Sequence, residues 1–95
     1  MESKIEIIQI NISGEDKPGM TSSLTDILAR YDAFILDIGQ ANIHQSLTLG
    51  ILFMTTSDKS GAILKELLFK ASELGVMIRF TPITEEHYQL SLIHI

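Results

Sequence analysis

Isoleucine alternates with polar residues along the first segment of the chain. The isoleucines occupy both phases of this alternation: Ile5 and Ile7 lie in one, and Ile8, Ile10 and Ile12 lie in the other. Period-two alternation of β-branched residues predicts a β-strand, and apolar residues in both phases predict burial on both faces. We therefore expect this segment to be a central strand of a sheet.

Two later segments carry the three- and four-residue spacing of amphipathic helices. Their apolar positions are Met20, Leu24, Ile27, Leu28 and Tyr31, and then Ile63, Leu64, Leu67, Leu68, Ala71 and Leu74. Hydroxyl side chains at residues 21–23 and at Ser60 are expected to cap the two N termini. Gly75 is expected to end the second helix in a left-handed conformation. Asp26 and Arg30 are spaced for an ion pair on the outer face of the first helix.

The remaining alternating segments, residues 34–44, 47–53 and 76–80, predict three further strands. The short link at residues 44–46 predicts a hairpin, and Pro82 predicts that the last strand lies at an edge of the sheet. The order is therefore βαββαβ. It predicts an α+β fold, a ferredoxin-like sandwich whose four-stranded antiparallel sheet carries two helices on one face, with the first and third strands central.

Composition excludes several classes of partner. The chain has 95 residues, one domain's worth, with a net charge of -5 and only seven Lys and Arg residues, which argues against binding to nucleic acid. Its longest apolar stretch, residues 47–54, is too short to cross a bilayer, so no membrane partner is expected. Cysteine is absent, and residues 1–4 do not resemble a secretory signal. These features together indicate a cytoplasmic protein.

Residues that usually carry catalysis or hold metals are poorly placed for either role. His44, His87 and His94 lie far apart and lack the spacing of a metal site. The carboxylates at 15–16 and 85–86 are adjacent in sequence, so their side chains are expected to point apart. We therefore expect no enzyme activity, no bound metal and no cofactor in this chain.

The loop from Gly14 to Met20 is the most informative stretch for function. It precedes a helix, whose unpaired first-turn amides attract a carboxylate such as that of a free amino acid. Asp16 offers an acceptor for an amino group, Pro18 stiffens the turn, and Gly19 allows a ligand to approach closely. A purely structural interpretation is also open, because Pro-Gly pairs often make turns and aspartate often caps them.

The sequence from Ile10 to Thr21 is similar to the opening of ACT domains, with their strand, G-x-D-x-P-G loop and helix. The motifs L-D-I-G-Q at residues 36–40 and L-T-L-G-I-L at residues 47–52 resemble, more narrowly, the N-terminal ACT region of certain bacterial phosphoserine phosphatases. The similarity runs from about Ile5 to about Tyr88, which is nearly the whole chain.

This resemblance implies a regulatory domain that binds a small molecule, commonly an amino acid. ACT domains usually pair, here as a homodimer or a tandem, and the ligand lies between the loop of one copy and a strand of its neighbour. The loop side corresponds to Gly14, Asp16, Pro18, Gly19 and Met20, and our candidates for the facing strand are Asp37, Gln40 and Asn42. Some serine-sensing loops carry histidine and asparagine where this chain has Gly14 and Asp16, so serine is one candidate ligand among several.

In the phosphatases that this chain resembles, catalysis belongs to a separate C-terminal domain of the haloacid dehalogenase superfamily. That domain uses Mg²⁺ and a D-x-D-x-[TV] motif, which this chain does not contain. We assign residues 1–89 to the ACT domain. Residues 90–95 resemble the translation of a sequencing-library adapter and are interpreted as a non-native tail; the alternatives are the truncated start of the next segment or a fifth strand.

Three other functions are known for folds of this topology and are alternatives to amino acid sensing. A structural dimerisation module of the same fold, with no ligand, is the main alternative. An RNA-binding sheet needs stacking aromatic residues on its central strands, where this chain has only Phe53. An acylphosphatase-like enzyme needs an arginine in the first loop, where this chain has only Lys17.

Overall fold

The strands and helices follow the predicted order. The computed structural model describes residues 4–83. The elements are β1 (Ile5–Glu15), α1 (Met20–Arg30), β2 (Phe34–Ile43), β3 (Ser46–Thr56), α2 (Ser57–Leu74) and β4 (Met77–Ile83). All strand pairs are antiparallel and the sheet order is β2-β3-β1-β4, which confirms the ferredoxin-like prediction and the central position of β1 and β3. The boundary at residue 89 and the segment 90–95 lie outside the described residues.

The core lies between the helices and one face of the sheet. Alternate residues of β1 and β3 are buried there, as are the apolar stripes of both helices: Ile8, Ile10, Ile12, Leu47, Leu49, Ile51, Phe53, Met20, Leu24, Ile27, Leu28, Ile63, Leu67 and Ala71. The predicted burial of both faces of β1 is wrong in part. Ile7 is buried between Met54 and Ile83, but Ile5 in the same phase is 68% exposed, because it is the first residue of β1 and within residues 4–83 it is paired with β3 alone.

The predicted hydroxyl caps are wrong because both helices begin earlier than expected. Gly19, with a φ of 76°, is the N-cap of α1, so the hydroxyls of Ser22 and Ser23 lie inside the first turn and donate to the Gly19 carbonyl. α2 begins directly after β3 with Thr56 as its N-cap, and Ser60 lies one turn inside the helix. Neither N-cap residue makes a side-chain capping hydrogen bond.

The end of α2 agrees with the sequence prediction, whereas two side chains on the outer surface of the helices differ from it. Gly75 ends α2 with a φ of 72°, as predicted. Leu68, one of the apolar positions of the second amphipathic helix, is 56% exposed. Arg30 pairs with Glu66 of α2 at 3.3 Å and not with Asp26, because the two helices lie side by side and present these charges to each other. Neither helix among the described residues is long and apolar enough to cross a membrane.

A β-bulge in β2 decides which residues lie on each face. The register shifts between Ile35 and Asp37, so that Phe34 and Ile38 fall on opposite faces although the sequence places them in one phase. The hairpin that follows has two linking residues, and His44 at its first position has a φ of 55°. β4 is an edge strand, as Pro82 predicts.

Candidate functional site

Gly14, the second-last residue of β1, precedes the loop to α1 and packs against Val76 at the junction of α2 and β4. A Cβ atom on Gly14 would lie 2.7 Å from Cγ1 of Val76, which is closer than real contacts allow. Gly14 is therefore required for packing between the end of β1 and the α2–β4 junction. Packing alone therefore explains why residue 14 is a glycine, and no bound ligand is needed to explain it.

Three backbone or side-chain hydrogen bonds hold the loop in place. The Asp16 amide donates to the Gln45 carbonyl at 2.8 Å, which ties the loop to the β2–β3 hairpin. Nζ of Lys17 donates to the Leu74 carbonyl at 2.6 Å, at the C terminus of α2, where a cation is favourable. The Met20 amide donates to the Lys17 carbonyl at 3.3 Å and closes the turn. The loop is thus anchored to the hairpin and to α2.

Four polar side chains from the loop, α1 and β2 form one chain of hydrogen bonds, which we name the loop–strand cluster. Nδ2 of Asn42 donates to Oδ2 of Asp16 at 2.7 Å, and Nε2 of Gln40 donates to Oδ1 of Asn42 at 2.9 Å. Oγ1 of Thr21 donates to Oε1 of Gln40 at 3.0 Å. The cluster therefore spans the loop from Asp16 to the first turn of α1.

The position of β2 explains why these side chains meet. Gln40 and Asn42 are opposite Leu49 and Leu47 of β3, on the face that carries the helices. Beyond the core that face is not covered, so both side chains are exposed at the edge of the sheet beside the loop. Asn42 thus contacts the loop of its own chain, and Gln40 contacts Asn42 and the first turn of α1. The family resemblance implied instead that the strand residues face the loop of a neighbouring copy.

The other predicted residues have different surroundings. Pro18 and Gly19 are exposed beside the uncapped start of α1, while the Met20 side chain is only 2% exposed and belongs to the core. Asp37 is opposite Leu52 on the face away from the helices, and its carboxylate accepts a hydrogen bond from the adjacent amide of residue 38 at 2.9 Å. The structure therefore brings Asp16, Gln40 and Asn42 together and separates Asp37 from them.

Thr21 and Lys17 were missed as partners of the loop. The sequence suggested only a capping role for the hydroxyl of Thr21, and its contact with Gln40 depends on how β2 passes α1. The Lys17 contact spans 57 residues of sequence and carries no local signal. A helix that ends at Gly75 without a basic residue in its last turn is the one available hint that a distant cation could lie there.

The chemistry of the loop–strand cluster suits recognition of a small polar molecule. The Asp16 carboxylate uses one oxygen for Asn42 and keeps further acceptor positions for an ammonium group. The amides of Thr21 and Ser22 in the first turn of α1 have no side-chain cap and can receive a carboxylate. Across residues 4–83 there is no group of three or more histidine, aspartate or glutamate side chains that could hold a metal ion.

Comparison with known proteins identifies related sequences. The sequence model of the ACT domain matches residues 6–81. Phosphoserine phosphatase SerB2 of Mycobacterium tuberculosis is 38% identical over 52 residues, which make up 55% of this chain and 12% of the phosphatase. The match therefore spans a small part of that curated relative's length.

Solved structures show the same fold at low identity. A protein described as a glycine cleavage system transcriptional repressor superposes with a TM-score of 0.80 at 15% identity, over 84% of this chain and 47% of its own. An ACT domain protein from Streptococcus pneumoniae superposes with a TM-score of 0.69 at 20% identity, over 81% of this chain and 89% of its own. At these identities the likeness establishes the fold alone.

Proposed function

The chain belongs to the ACT domain family, and from this premise we propose that it is a regulatory module that binds a free amino acid at the loop–strand cluster. The observation that carries the proposal is the continuous set of hydrogen bonds from Asp16 through Asn42 and Gln40 to Thr21. Thr21 lies in the first turn of α1, whose N terminus has no side-chain cap. In this proposal the module acts in the cytoplasm, the location expected from its cysteine-free sequence.

An amino acid offers two charged groups that match the two halves of this site. Its carboxylate is complementary to the first-turn amides of α1 and to the positive end of the helix dipole. Its ammonium group is complementary to the Asp16 carboxylate, since charge-assisted hydrogen bonds are stronger than neutral ones. The side-chain amides of Gln40 and Asn42 can rotate to either donor or acceptor, so they suit a polar ligand such as serine.

Isothermal titration calorimetry on the full chain tests the proposal, with serine, glycine and the other common amino acids as separate titrants. We expect heat of binding and a thermal shift with at least one of them. Asp16→Asn keeps an acceptor for Asn42 but removes the charge that meets the ammonium group, so it should abolish the signal. Asp37→Asn is the matched control, because Asp37 lies on the opposite face and binding should be unchanged.

A ligand-free dimerisation module is the alternative that this titration separates. No heat and no thermal shift with any amino acid would leave the cluster as a structural network that fixes the loop. Loss of binding in both aspartate variants would instead show a general effect of charge.

We also infer that the module belongs to a longer protein related to phosphoserine phosphatase. The support is the 38% identity over 52 residues with the phosphatase of Mycobacterium tuberculosis. The genomic reading frame around this sequence tests the inference. A D-x-D-x-[TV] motif downstream supports it, and a frame that encodes no phosphatase domain contradicts it.

A further inference from the structure

The sheet face directed away from both helices carries a depression that is separate from the loop–strand cluster. Its volume is about 270 Å³, and its lining residues are Gln9, Asp37, Gly39, Gly50, Ile51 and Leu52. Asp37, Leu52 and Gln9 share one cross-strand row, and Gly39 and Gly50 are opposite each other in the next row. The depression therefore has side chains along one side and a floor of backbone. We name it the glycine depression.

The two glycines of the floor are not explained by packing or by backbone conformation. A Cβ on Gly39 would meet nothing within 4 Å, and a Cβ on Gly50 would make an ordinary contact with Oδ1 of Asn11 at 3.6 Å. Neither glycine has a positive φ, the conformation that favours glycine over other residues. They differ in this from Gly14, whose Cβ would collide with Val76. What they do provide is room for a flat group to lie on the exposed peptide planes.

The side chains beside this floor offer hydrogen-bond acceptors. The Asp37 carboxylate accepts one hydrogen bond, from the amide of residue 38 at 2.9 Å, and makes no ion pair within residues 4–83. Nε2 of Gln9 donates to Oδ1 of Asn11 at 3.3 Å, which leaves Oε1 of Gln9 as an acceptor. Among the described residues of the lining, Asp37 is the only charged one. A complementary ligand therefore carries a positive charge and donates hydrogen bonds on two sides.

A guanidinium group meets these requirements better than an ammonium group. Asp37 and Gln9 are two strand spacings apart, about 10 Å between their backbones, and the apolar side chain of Leu52 lies between them. A guanidinium is planar and weakly hydrated, with five N–H donors and no acceptor. Its face can lie on Leu52 and the glycines while its edges donate to both acceptors. An ammonium is a compact, strongly hydrated charge that cannot bridge them.

The surroundings of the glycine depression favour a cation with an apolar tail. The cross-strand row beyond Leu52 contains Phe34 and Met54, and Phe34 is 62% exposed. Arg79 shares the row of the glycines but lies on β4, three strand spacings or about 14 Å from Gly39. At that distance its repulsion is largely screened, because the Debye length is about 8 Å at physiological salt.

We propose that the glycine depression is a second binding site of this domain and that it takes a small molecule with an alkylguanidinium group. The guanidinium lies flat on the two glycines and donates to the Asp37 carboxylate and to Oε1 of Gln9. The alkyl chain runs over Leu52 toward Phe34. The site is independent of the proposed amino acid site, because the strand residues of the loop–strand cluster are on the face that carries the helices.

The size of the depression sets the kind of ligand and its affinity. Its volume of about 270 Å³ is slightly below the roughly 300 Å³ at which pockets for drug-sized molecules begin. It therefore accommodates the head group and first methylene groups of one small molecule. A ligand with so few atoms is expected to bind with a dissociation constant of about 1 mM or below.

NMR titration of the isotopically labelled 95-residue chain with propylguanidinium tests the proposal. This probe has neither a carboxylate nor an α-amino group, so it lacks the groups that the loop–strand cluster is proposed to bind. We expect saturable shifts of the Gln9, Gly39 and Gly50 amide signals. Propylammonium should bind at least about threefold more weakly, and the neutral isostere propylurea at least about tenfold more weakly.

Two pairs of variants locate the bound cation. Asp37→Asn removes the charge and should weaken binding at least about tenfold, whereas its matched control Asp16→Asn should leave the binding of propylguanidinium unchanged. Gly39→Val fills the floor and should abolish binding. Ala41→Val, at the next position of β2 that faces the same way, should not affect it. Circular dichroism melts verify that all four variants fold.

The absence of saturable shifts up to about 10 mM propylguanidinium would overturn the proposal. Equal binding of propylurea would also overturn it, as would binding that persists in a folded Gly39→Val variant. Loss of binding in Asp16→Asn but not in Asp37→Asn would place the cation at the loop and contradict the proposed site. None of these outcomes bears on the calorimetric test of amino acid binding. Arginine carries both kinds of group, so the calorimetric comparison of the two aspartate variants uses the other amino acids.

Discussion

The two faces of this sheet are made from alternate residues of the same strands, yet they have opposite properties. On the face under the helices, β3 contributes Leu49 and Ile51, neither of which is exposed at all. On the face directed away from both helices, which we name the open face, β3 contributes Thr48 and Gly50, which have no helix above them. Because a strand alternates its side chains, a single sequence can build a core on one side and keep an accessible surface on the other.

The largest expected effect contrasts neighbouring residues on the two faces. Leu49→Ala should lower the free energy of unfolding by about 2–5 kcal/mol, since it opens a cavity in the core. Thr48→Ala on the open face should change it by no more than about 0.5 kcal/mol. Urea denaturation at a concentration where both variants are monomeric measures the difference. Equal losses would mean that the open face is also buried in the single chain.

A second contrast uses two glycines. Gly14→Ala should lower the free energy of unfolding by about 1–3 kcal/mol, because its methyl group collides with Val76. Gly39→Ala should be close to neutral for the single chain, since its methyl group meets no atom. Thermal melts of the two variants measure this contrast. An unchanged free energy of unfolding in Gly14→Ala would show that the end of β1 can move away from the α2–β4 junction at little cost in stability.

The Lys17 contact should have a smaller effect, localised to the loop. Lys17→Met removes the hydrogen bond to the Leu74 carbonyl and should cost about 1 kcal/mol. Hydrogen exchange should show faster exchange of the Asp16 amide, which the anchored loop protects. Lys65→Met, on the exposed surface of α2, is the control and should leave that amide unchanged. Equal protection in both variants would contradict an anchoring role for Lys17.

The smallest effect concerns the surface between the helices. A hydrogen bond from the Tyr31 hydroxyl to Glu66, with some desolvation and the negative charge of Glu66, raises the pKa of Tyr31 above its ordinary value of 10.0. The folded state therefore holds this proton more tightly, so its contribution is complete below pH 10 and is lost as the pH rises through the raised pKa. Stability measured from pH 8 to about pH 11 should fall less in Tyr31→Phe than in the parent chain. An unchanged slope would contradict the Glu66 contact.

Local patterns were sufficient to predict the six elements and their topology. Period-two alternation identified the strands, and three- and four-residue spacing identified the helices. Gly75 marked the end of α2, and Pro82 marked an edge strand. The exact helix starts could not be predicted, because α2 continues directly from β3 and α1 begins at a left-handed glycine. At α1 a left-handed glycine stands where capping rules expect an extended hydroxyl residue, and at α2 the N-cap Thr56 is extended but makes no side-chain capping hydrogen bond.

The candidate site was only partly predictable. Asp16, Gln40 and Asn42 meet as polar interruptions of apolar segments, which is a signal that the sequence carries. Their contact within one chain depends on the strand register and on how β2 passes the loop. Both are features of the tertiary structure, which local sequence patterns do not determine. Asp37 was grouped with them because it is also polar, but it lies on the opposite face from Gln40.

Backbone NMR of the isotopically labelled chain tests the division of roles between the two faces most directly. We predict that titration with the amino acid that gives heat in calorimetry, serine first, shifts the amide signals of Thr21, Gln40 and Asn42 and leaves Asn11 and Thr81 of the open face unchanged. Shifts from the amino acid that concentrate on the open face, with none at the loop–strand cluster, would contradict the account.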